Sequence, residues 1–322
     1  MRLASHEASG VGIAMNLHEA LRGLADRNQF KHLTDDQLRV VAGQAVKAQW
    51  DDRRENQLLY YKPVSATAEA VHKSQARYVC VGGGNGASKT DTMLAELAAL
   101  TTGVMPEGLS PAVEAAFRLK FRGPVMVRVV VESLTTTLYP IILPKLQWWR
   151  WNGADEPGGE RGHWGWLPRR SLVTGSWVKS WQDRLHTLRV LCFDPEAPGS
   201  VLGESVWQFM SKDQDATDFA SGDFHHILHD ELPSHAIWRE DEARTMRVRG
   251  RMALSMTWPD DPGVAVDWAY DELYEKGQPG VAKDPAVDWF EMWSTDNPHI
   301  DQETVKDQLD RWSEQIAAVR IY

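Results

Sequence analysis

Nine consecutive residues constrain this chain more than any others: Gly82-Gly83-Gly84-Asn85-Gly86-Ala87-Ser88-Lys89-Thr90. The apolar run Tyr78-Val79-Cys80-Val81 precedes them, and Met93, Leu94, Leu97 and Ala98 follow at helical spacing. The pattern is strand, glycine-rich loop, helix. A loop of this kind lets successive backbone N–H groups curl around phosphate oxygens, with a lysine for the β- and γ-phosphates, a hydroxyl for Mg²⁺ and a helix N-terminus adding positive potential. Gly83, Gly84, Asn85, Gly86, Ala87, Ser88, Lys89 and Thr90 are therefore the expected nucleotide cradle. Ser88 stands where the usual pattern has its last glycine, and it can present its N–H there provided its backbone avoids positive φ.

Composition narrows what such a chain can be. At 322 residues with 43% hydrophobic content, it has enough apolar material for a large core. A net charge of −10 excludes a protein that simply coats nucleic acid, so any DNA contact must be local. Two cysteines, Cys80 and Cys192, make neither a disulfide framework nor a Cys₄ zinc site and fit a reducing cytoplasm. No apolar run is long enough to span a membrane, and no signal pattern opens the chain. Tryptophan is abundant, clustering at Trp148, Trp149, Trp151, Trp164, Trp166, Trp177 and Trp181, where core filling is the ordinary use.

Residues 1–60 read as a helical extension. Leu17, Leu21 and Leu24 recur at helical spacing, and Thr34-Asp35-Asp36-Gln37 resembles a capping box. Residues 61–322 form the second domain. Just upstream of its first strand, His72 and Gln75 are candidates to touch a bound base. After the loop helix, Pro106, Gly108 and Pro111 break the pattern, and Val113 to Leu119 reads as a helix. Val125 to Val131 reads as a strand buried on both faces, which makes a right-handed βαβ unit in a parallel sheet. Ser133 to Leu146 reads as turn and helix interrupted at Pro140 and Pro144, and Asn152 to Arg170 as an ordered excursion. Thr187 to Phe193 and Ser205 to Met210 are strands of a hairpin or neighbours, separated by a turn-rich Asp194 to Gly203.

Hydrolysis needs more than the loop: an acidic residue to order the metal and a group to activate water. Phe224-His225-His226-Ile227-Leu228-His229-Asp230-Glu231 supplies a strand ending in two carboxylates, with Asp230 assigned to the metal and Glu231 to the water. In an extended strand the two point to opposite sides, but past its end both can face the site. Two blander readings are that the pair caps the helix after Pro233, or that His225, His226, His229 and Asp230 bind a metal; strand alternation sets His226 and Asp230 against His225 and His229. Arg251 to Pro259 reads as a further strand whose Ser255 and Thr257 can sense the γ-phosphate, and Arg247, Arg249 and Arg251 are candidate DNA or phosphate contacts.

Together these pieces resemble the ATPase domain of the large terminase subunit of tailed bacteriophages, from about Tyr61 to the last residue. The glycine loop is similar to that family's Walker A loop. Phe219-Ala220-Ser221-Gly222 leading to Asp230-Glu231-Leu232-Pro233 resembles its Walker B approach. Ser255 to Pro259 resembles its coupling motif, while Asp296 to Ile300 and Arg320-Ile321-Tyr322 resemble the stretch leading to its nuclease domain. The resemblance implies a P-loop α/β fold of ASCE type with a mainly parallel sheet, ATP and Mg²⁺ as cofactors, and ATP hydrolysis coupled to translocation of double-stranded DNA. It implies a portal protein and a small terminase subunit as partners, a homo-oligomeric ring when active with a monomer in isolation, and a place in the host cytoplasm at the procapsid portal. Many relatives carry an arginine where this chain has Gly86 or Ala220, so the charge-stabilising arginine is expected from a neighbouring subunit. The stretch after Glu231 is too short for the family's nuclease domain, so none is expected in this chain. The competing readings are a nucleotide-binding scaffold without turnover and a superfamily 2 helicase, the latter disfavoured by the lack of a second RecA-like core.

Overall fold

The computed structural model describes residues 34–147, 165–259 and 265–311. The leucine repeat at 17–24, the tryptophans at 148–164, most of the expected excursion and residues 320–322 lie outside the described residues. The chain forms two compact units, Met1–Glu55 and Asn56–Tyr322. In the first, α1 (Asp35–Glu55) begins with a reciprocal cap. Thr34 N–H donates to Gln37 Oε1 at 2.9 Å and Gln37 N–H to Thr34 Oγ1 at 3.4 Å, so two otherwise orphaned donors are satisfied.

The second unit is built on one eight-stranded sheet. Its strands are β1 (Tyr78–Gly83), β2 (Met126–Val131), β3 (Trp181–Gln182), β4 (Thr187–Asp194), β5 (Ala197–Ser211), β6 (His226–Asp230), β7 (Arg251–Ser255) and β8 (Val287–Met292). The spatial order is β3-β4-β5-β2-β6-β7-β1-β8. From β5 to β8 every pairing is parallel; only β3 and β4 run antiparallel to their neighbours. β1 and β2 share this parallel sheet, separated by β6 and β7.

Parallel strands need cover on both faces, and strand alternation supplies two cores. Val79, Val81, Val127, Val129 and Leu228 point to the face covered by α2 (Ala66–Lys73), α3 (Lys89–Thr102) and α4 (Pro111–Lys120). Cys80, Ile227, Met252, Leu254 and Trp289 point to the other, where Trp238 of α5 (His235–Thr245) and Leu273 of the helical stretch 267–277 meet them. The result is a three-layer α/β/α unit.

Three local expectations change. Pro111 starts α4 rather than breaking the chain, since its missing N–H is one the first helical turn leaves unpaired anyway. Pro140 does not interrupt its helix: Leu134–Ile142 widens to a π-helix and continues into Leu143–Leu146, a widening that accommodates a residue without an N–H. The hairpin between β4 and β5 is present, but its turn is confined to residues 195 and 196, and most of the expected turn belongs to β5.

Candidate nucleotide site

The parallel strands deliver their C-terminal ends to one edge, and β7 lies between β6 and β1. The carboxylates ending β6 and the loop following β1 therefore face each other across the end of β7. β1 closes on Gly83, whose φ is +133°; a Cβ there would come within 2.0 Å of Met292 O on β8, so no other residue fits.

Ser88 overturns an expectation. Its backbone is left-handed, φ 65° and ψ 25°, rather than avoiding positive φ, at a cost of roughly 1–2 kcal/mol for an L-residue. What holds it comes from the far end of the chain. Asn297 Nδ2 donates to Gly86 O at 2.6 Å and to Ser88 Oγ at 3.0 Å, and Ser294 Oγ donates to Asn85 O at 2.6 Å. The segment read as a lead toward a further domain thus clasps the glycine loop. It was visible as Asp296-Asn297-Pro298, yet nothing local in the sequence says what an asparagine there would bond to.

Lys89 opens α3 and is buried. Its Nζ donates to Gly83 O at 2.8 Å, Gly84 O at 2.7 Å and Thr257 Oγ1 at 3.2 Å. Burial lowers its pKa, opposed by the charges of Glu231, Asp230 and Glu291. Asp230 Oδ1 accepts from Thr90 Oγ1 and from Ser255 Oγ, both at 2.8 Å. Burial raises its pKa against those two bonds and the nearby Lys89.

Glu231 sits in the left-handed region at φ 86°, which swings a side chain that would otherwise point away from Asp230 back toward the site. Its N–H donates to Ser255 O at 2.7 Å, and its Oε2 accepts from Thr257 N–H at 3.1 Å. Burial raises its pKa, which the Thr257 N–H opposes and Asp230 reinforces. Ser255 and Thr257 thus join the loop to the acidic pair, and Thr257 Oγ1 also reaches Asn85 Oδ1 at 3.3 Å.

A second cation stands close by. Lys145 Nζ donates to Asp91 Oδ2 at 2.6 Å, Trp166 Nε1 donates to Asp91 Oδ1 at 3.0 Å, and the Lys145 charge is a minor influence opposing the rise that burial imposes on the pKa of Asp230. Ile142-Leu143-Pro144-Lys145-Leu146 resembles the terminase segment that follows the first helix, but that motif names no partner for Lys145, and Asp91 lies in no motif; only the fold brings residue 145 beside residue 91.

Other candidates fall elsewhere. His72 is buried with both nitrogens engaged, Nε2 with Tyr61 Oη at 2.7 Å and Nδ1 with Glu96 Oε2 at 2.7 Å, so it has no free edge for a base. Gln75 precedes β1 and lines a pocket at the sheet's opposite end. The Asp230-Glu231 pair does not cap α5; Ser234 does, accepting from Ile237 N–H. Among the described residues no histidine cluster forms a metal site. Arg249 and Arg251 line the same remote pocket as Gln75, and Arg247 is exposed and paired with Asp223 at 3.1 Å.

The residues fit a hard cation and a triphosphate. One carboxylate oxygen receiving two hydroxyls, Thr90 and Ser255, is an all-oxygen donor set of the kind Mg²⁺ takes alongside phosphates and water. Lys89 is parked on two loop carbonyls, acceptors that phosphate oxygens can replace.

No family model and no curated protein matches the chain. Among solved structures, the large terminase of a thermophilic bacteriophage superposes with a TM-score of 0.50 at 9% identity, covering 81% of this chain and 53% of that one. The large terminase ATPase domain of Thermus phage P74-26 follows with a TM-score of 0.47 at 15% identity, covering 82% of this chain and 94% of that one. The chain spans about half the length of the first, and it has the P-loop fold of phage large terminase ATPase domains.

Proposed function

We propose that this chain is the ATP-hydrolysing motor domain of a viral large terminase, moving double-stranded DNA into a procapsid. The observation that carries the reading is the meeting of Lys89, Thr90, Asp230, Glu231 and Thr257 within one hydrogen-bonded cluster joined through Ser255. In that reading Gly83 to Thr90 hold the phosphates, and Thr90 and Asp230 hold Mg²⁺, which neutralises charge on the phosphate oxygens when bound. Glu231 accepts the proton of the attacking water, a role that its raised pKa and its fixed Thr257 contact suit. Thr257, bonded to both Glu231 and Lys89, is placed to register loss of the γ-phosphate and pass it to β7. Residues 61–322 are the motor, preceded by a helical extension. The missing arginine comes from the next subunit of a ring, and the portal and small terminase subunit are partners at the procapsid in the host cytoplasm.

Phosphate release from ATP, measured with DNA and partners present, tests this. Glu231→Gln should lower turnover by about 10²–10⁴-fold with nucleotide binding retained, whereas Lys89→Ala should weaken binding itself. Wild-type chain that binds ATP and releases no phosphate under any of these conditions would instead be an assembly scaffold.

A further inference from the structure

The opposite end of the sheet carries a second concentration of charge that the nucleotide site does not use. A pocket of about 540 Å³ is lined by Arg77, Arg122, Arg249 and Arg251 with the buried Lys120, and no carboxylate is among its lining residues. Its volume is that of a ligand site. Arg77 and Arg251 immediately precede or open β1 and β7, so the pocket lies at the strands' N-terminal ends, roughly 16 Å along a five-residue strand from the glycine loop's edge.

Carboxylates reach two of the four arginines only through space: Glu96 and Asp288 act on Arg251, and Glu242 on Arg77. Arg77 donates to Thr245 Oγ1 at 3.1 Å, Arg122 to Val248 O at 2.8 Å and Arg251 to Ser74 O at 2.9 Å, all neutral acceptors. None of the four forms a carboxylate ion pair among the described residues, whereas Lys120 is paired with Glu96 at 2.7 Å. A guanidinium has five N–H donors, so the exposed Arg122 and Arg249 keep most of their forks available, while Arg77 and Arg251 are half-buried. In a chain of net charge −10, four unpaired arginines around one concavity are a local exception.

Backbone geometry gives an independent sign. Arg249 is left-handed at φ 49°, in a turn closed by Gly250 N–H to Thr245 O at 2.8 Å. Gly250 cannot be replaced, since a Cβ there would lie 2.2 Å from Phe224 O. A non-glycine residue held there costs on the order of 1–3 kcal/mol, and such strain concentrates where a side chain must be aimed.

We propose that this pocket is a second phosphate-binding site, separate from the glycine loop, which takes phosphate oxygens on the forks of Arg77, Arg122, Arg249 and Arg251. The phosphate arrives either on a duplex DNA backbone or as a free polyphosphate. Planar guanidinium forks match phosphate oxygens two at a time, and the absence of lining carboxylates removes the repulsion an anion would otherwise meet.

The test uses the full chain carrying Lys89→Ala, so that binding at the glycine loop is weakened. Inorganic tripolyphosphate is titrated by calorimetry, and a duplex of about 20 base pairs by anisotropy between roughly 50 and 200 mM salt. Arg122→Gln with Arg249→Gln, both exposed side chains, should weaken at least one probe about tenfold. If the duplex is the ligand, the slope of log affinity against log salt should flatten by about 1.8. Loss on the duplex alone assigns the site to nucleic acid, and loss on tripolyphosphate alone assigns it to free polyphosphate. Arg247→Gln, outside the pocket, should leave both unchanged. If the glutamine pair unfolds, the Arg→Lys pair keeps the charge and breaks the fork, and should show a smaller loss. Unchanged affinity for both probes, no binding of either by the Lys89→Ala chain, or an equal loss with Arg247→Gln overturns the proposal.

Discussion

Two sets of buried charges in this molecule are treated in opposite ways. In the sheet's interior, Arg128 on β2 is wholly buried and fully engaged: it pairs with Asp241 of α5, donates to Gln208 Oε1 at 3.0 Å, Phe219 O at 3.1 Å and Ser221 O at 3.0 Å, and lies 4.1 Å over the Phe224 ring. Glu96 on α3 is likewise held between Lys120 and His72; burial raises its pKa, but those partners pull it well below the usual carboxylate range. At the sheet's C-terminal edge the balance reverses. Asp230 and Glu231 are pushed up and Lys89 down, each by burial its neighbours fail to offset, and two residues, Ser88 and Glu231, sit at positive φ. Charges that hold the fold are each set against an opposite charge, whereas those at the edge are left short of one, as a site that receives its own charges from a ligand requires.

The largest effect that could break this contrast is at Arg128. Arg128→Met leaves Asp241 buried without its main counter-charge and should cost about 3–5 kcal/mol, read from urea unfolding. Adding Asp241→Leu should recover much of the loss, because the cost lies in the orphaned charge rather than in the absence of the pair. A loss below about 1 kcal/mol for the single variant would mean the pair is not what anchors the 219–221 segment ahead of β6.

A smaller effect appears with pH at His226. Its Nε2 is buried without a hydrogen-bond partner among the described residues, and burial, then Arg251, His225 and Arg122, lower its pKa to about 3 against an opposing Glu96. The unfolded chain takes up a proton near pH 6.5 that the folded chain refuses until about pH 3. The stability from keeping His226 neutral is therefore complete above 6.5 and is lost as pH falls, by up to about 1.4 kcal/mol per pH unit. Asp230 and Glu231, raised, act with the opposite sign. His226→Gln should flatten the acid limb of the unfolding curve by close to one proton; an unchanged limb would show that His226 is protonated in the fold.

Much of this was legible in the sequence, for reasons that differ by residue. The glycine loop, β2, β6 and the acidic pair are local patterns, in which spacing carries the chemistry. The capping box at Thr34 and Gln37 is local in the same way, as is the strand alternation that divides Val79 from Cys80. What stayed hidden depends on contacts between distant segments: Asn297 on the loop, Lys145 beside Asp91, and His72 consumed by Tyr61 and Glu96. The arginines at 247, 249 and 251 look equivalent in sequence, but a tight turn sends one to an ion pair and two to a pocket.

The smallest expected effect concerns how the loop tolerates its unusual residue. Ser88→Gly removes the left-handed penalty of roughly 1–2 kcal/mol, but it adds about 0.5–1 kcal/mol of chain entropy and forfeits the Asn297 bond worth about 1 kcal/mol. These nearly cancel, so stability should move by less than about 0.5 kcal/mol. Ser88→Ala keeps the strain and loses the same bond, and should cost about 1 kcal/mol. Asn297→Ala releases two bonds at once and should cost about 1–2 kcal/mol, while weakening binding of a non-hydrolysable ATP analogue several-fold, because the loop then has to be ordered by the nucleotide itself. If Asn297→Ala binds the analogue as tightly as wild type, the clasp stabilises the fold without preparing the loop. The edge would then owe its strain to the nucleotide's needs alone.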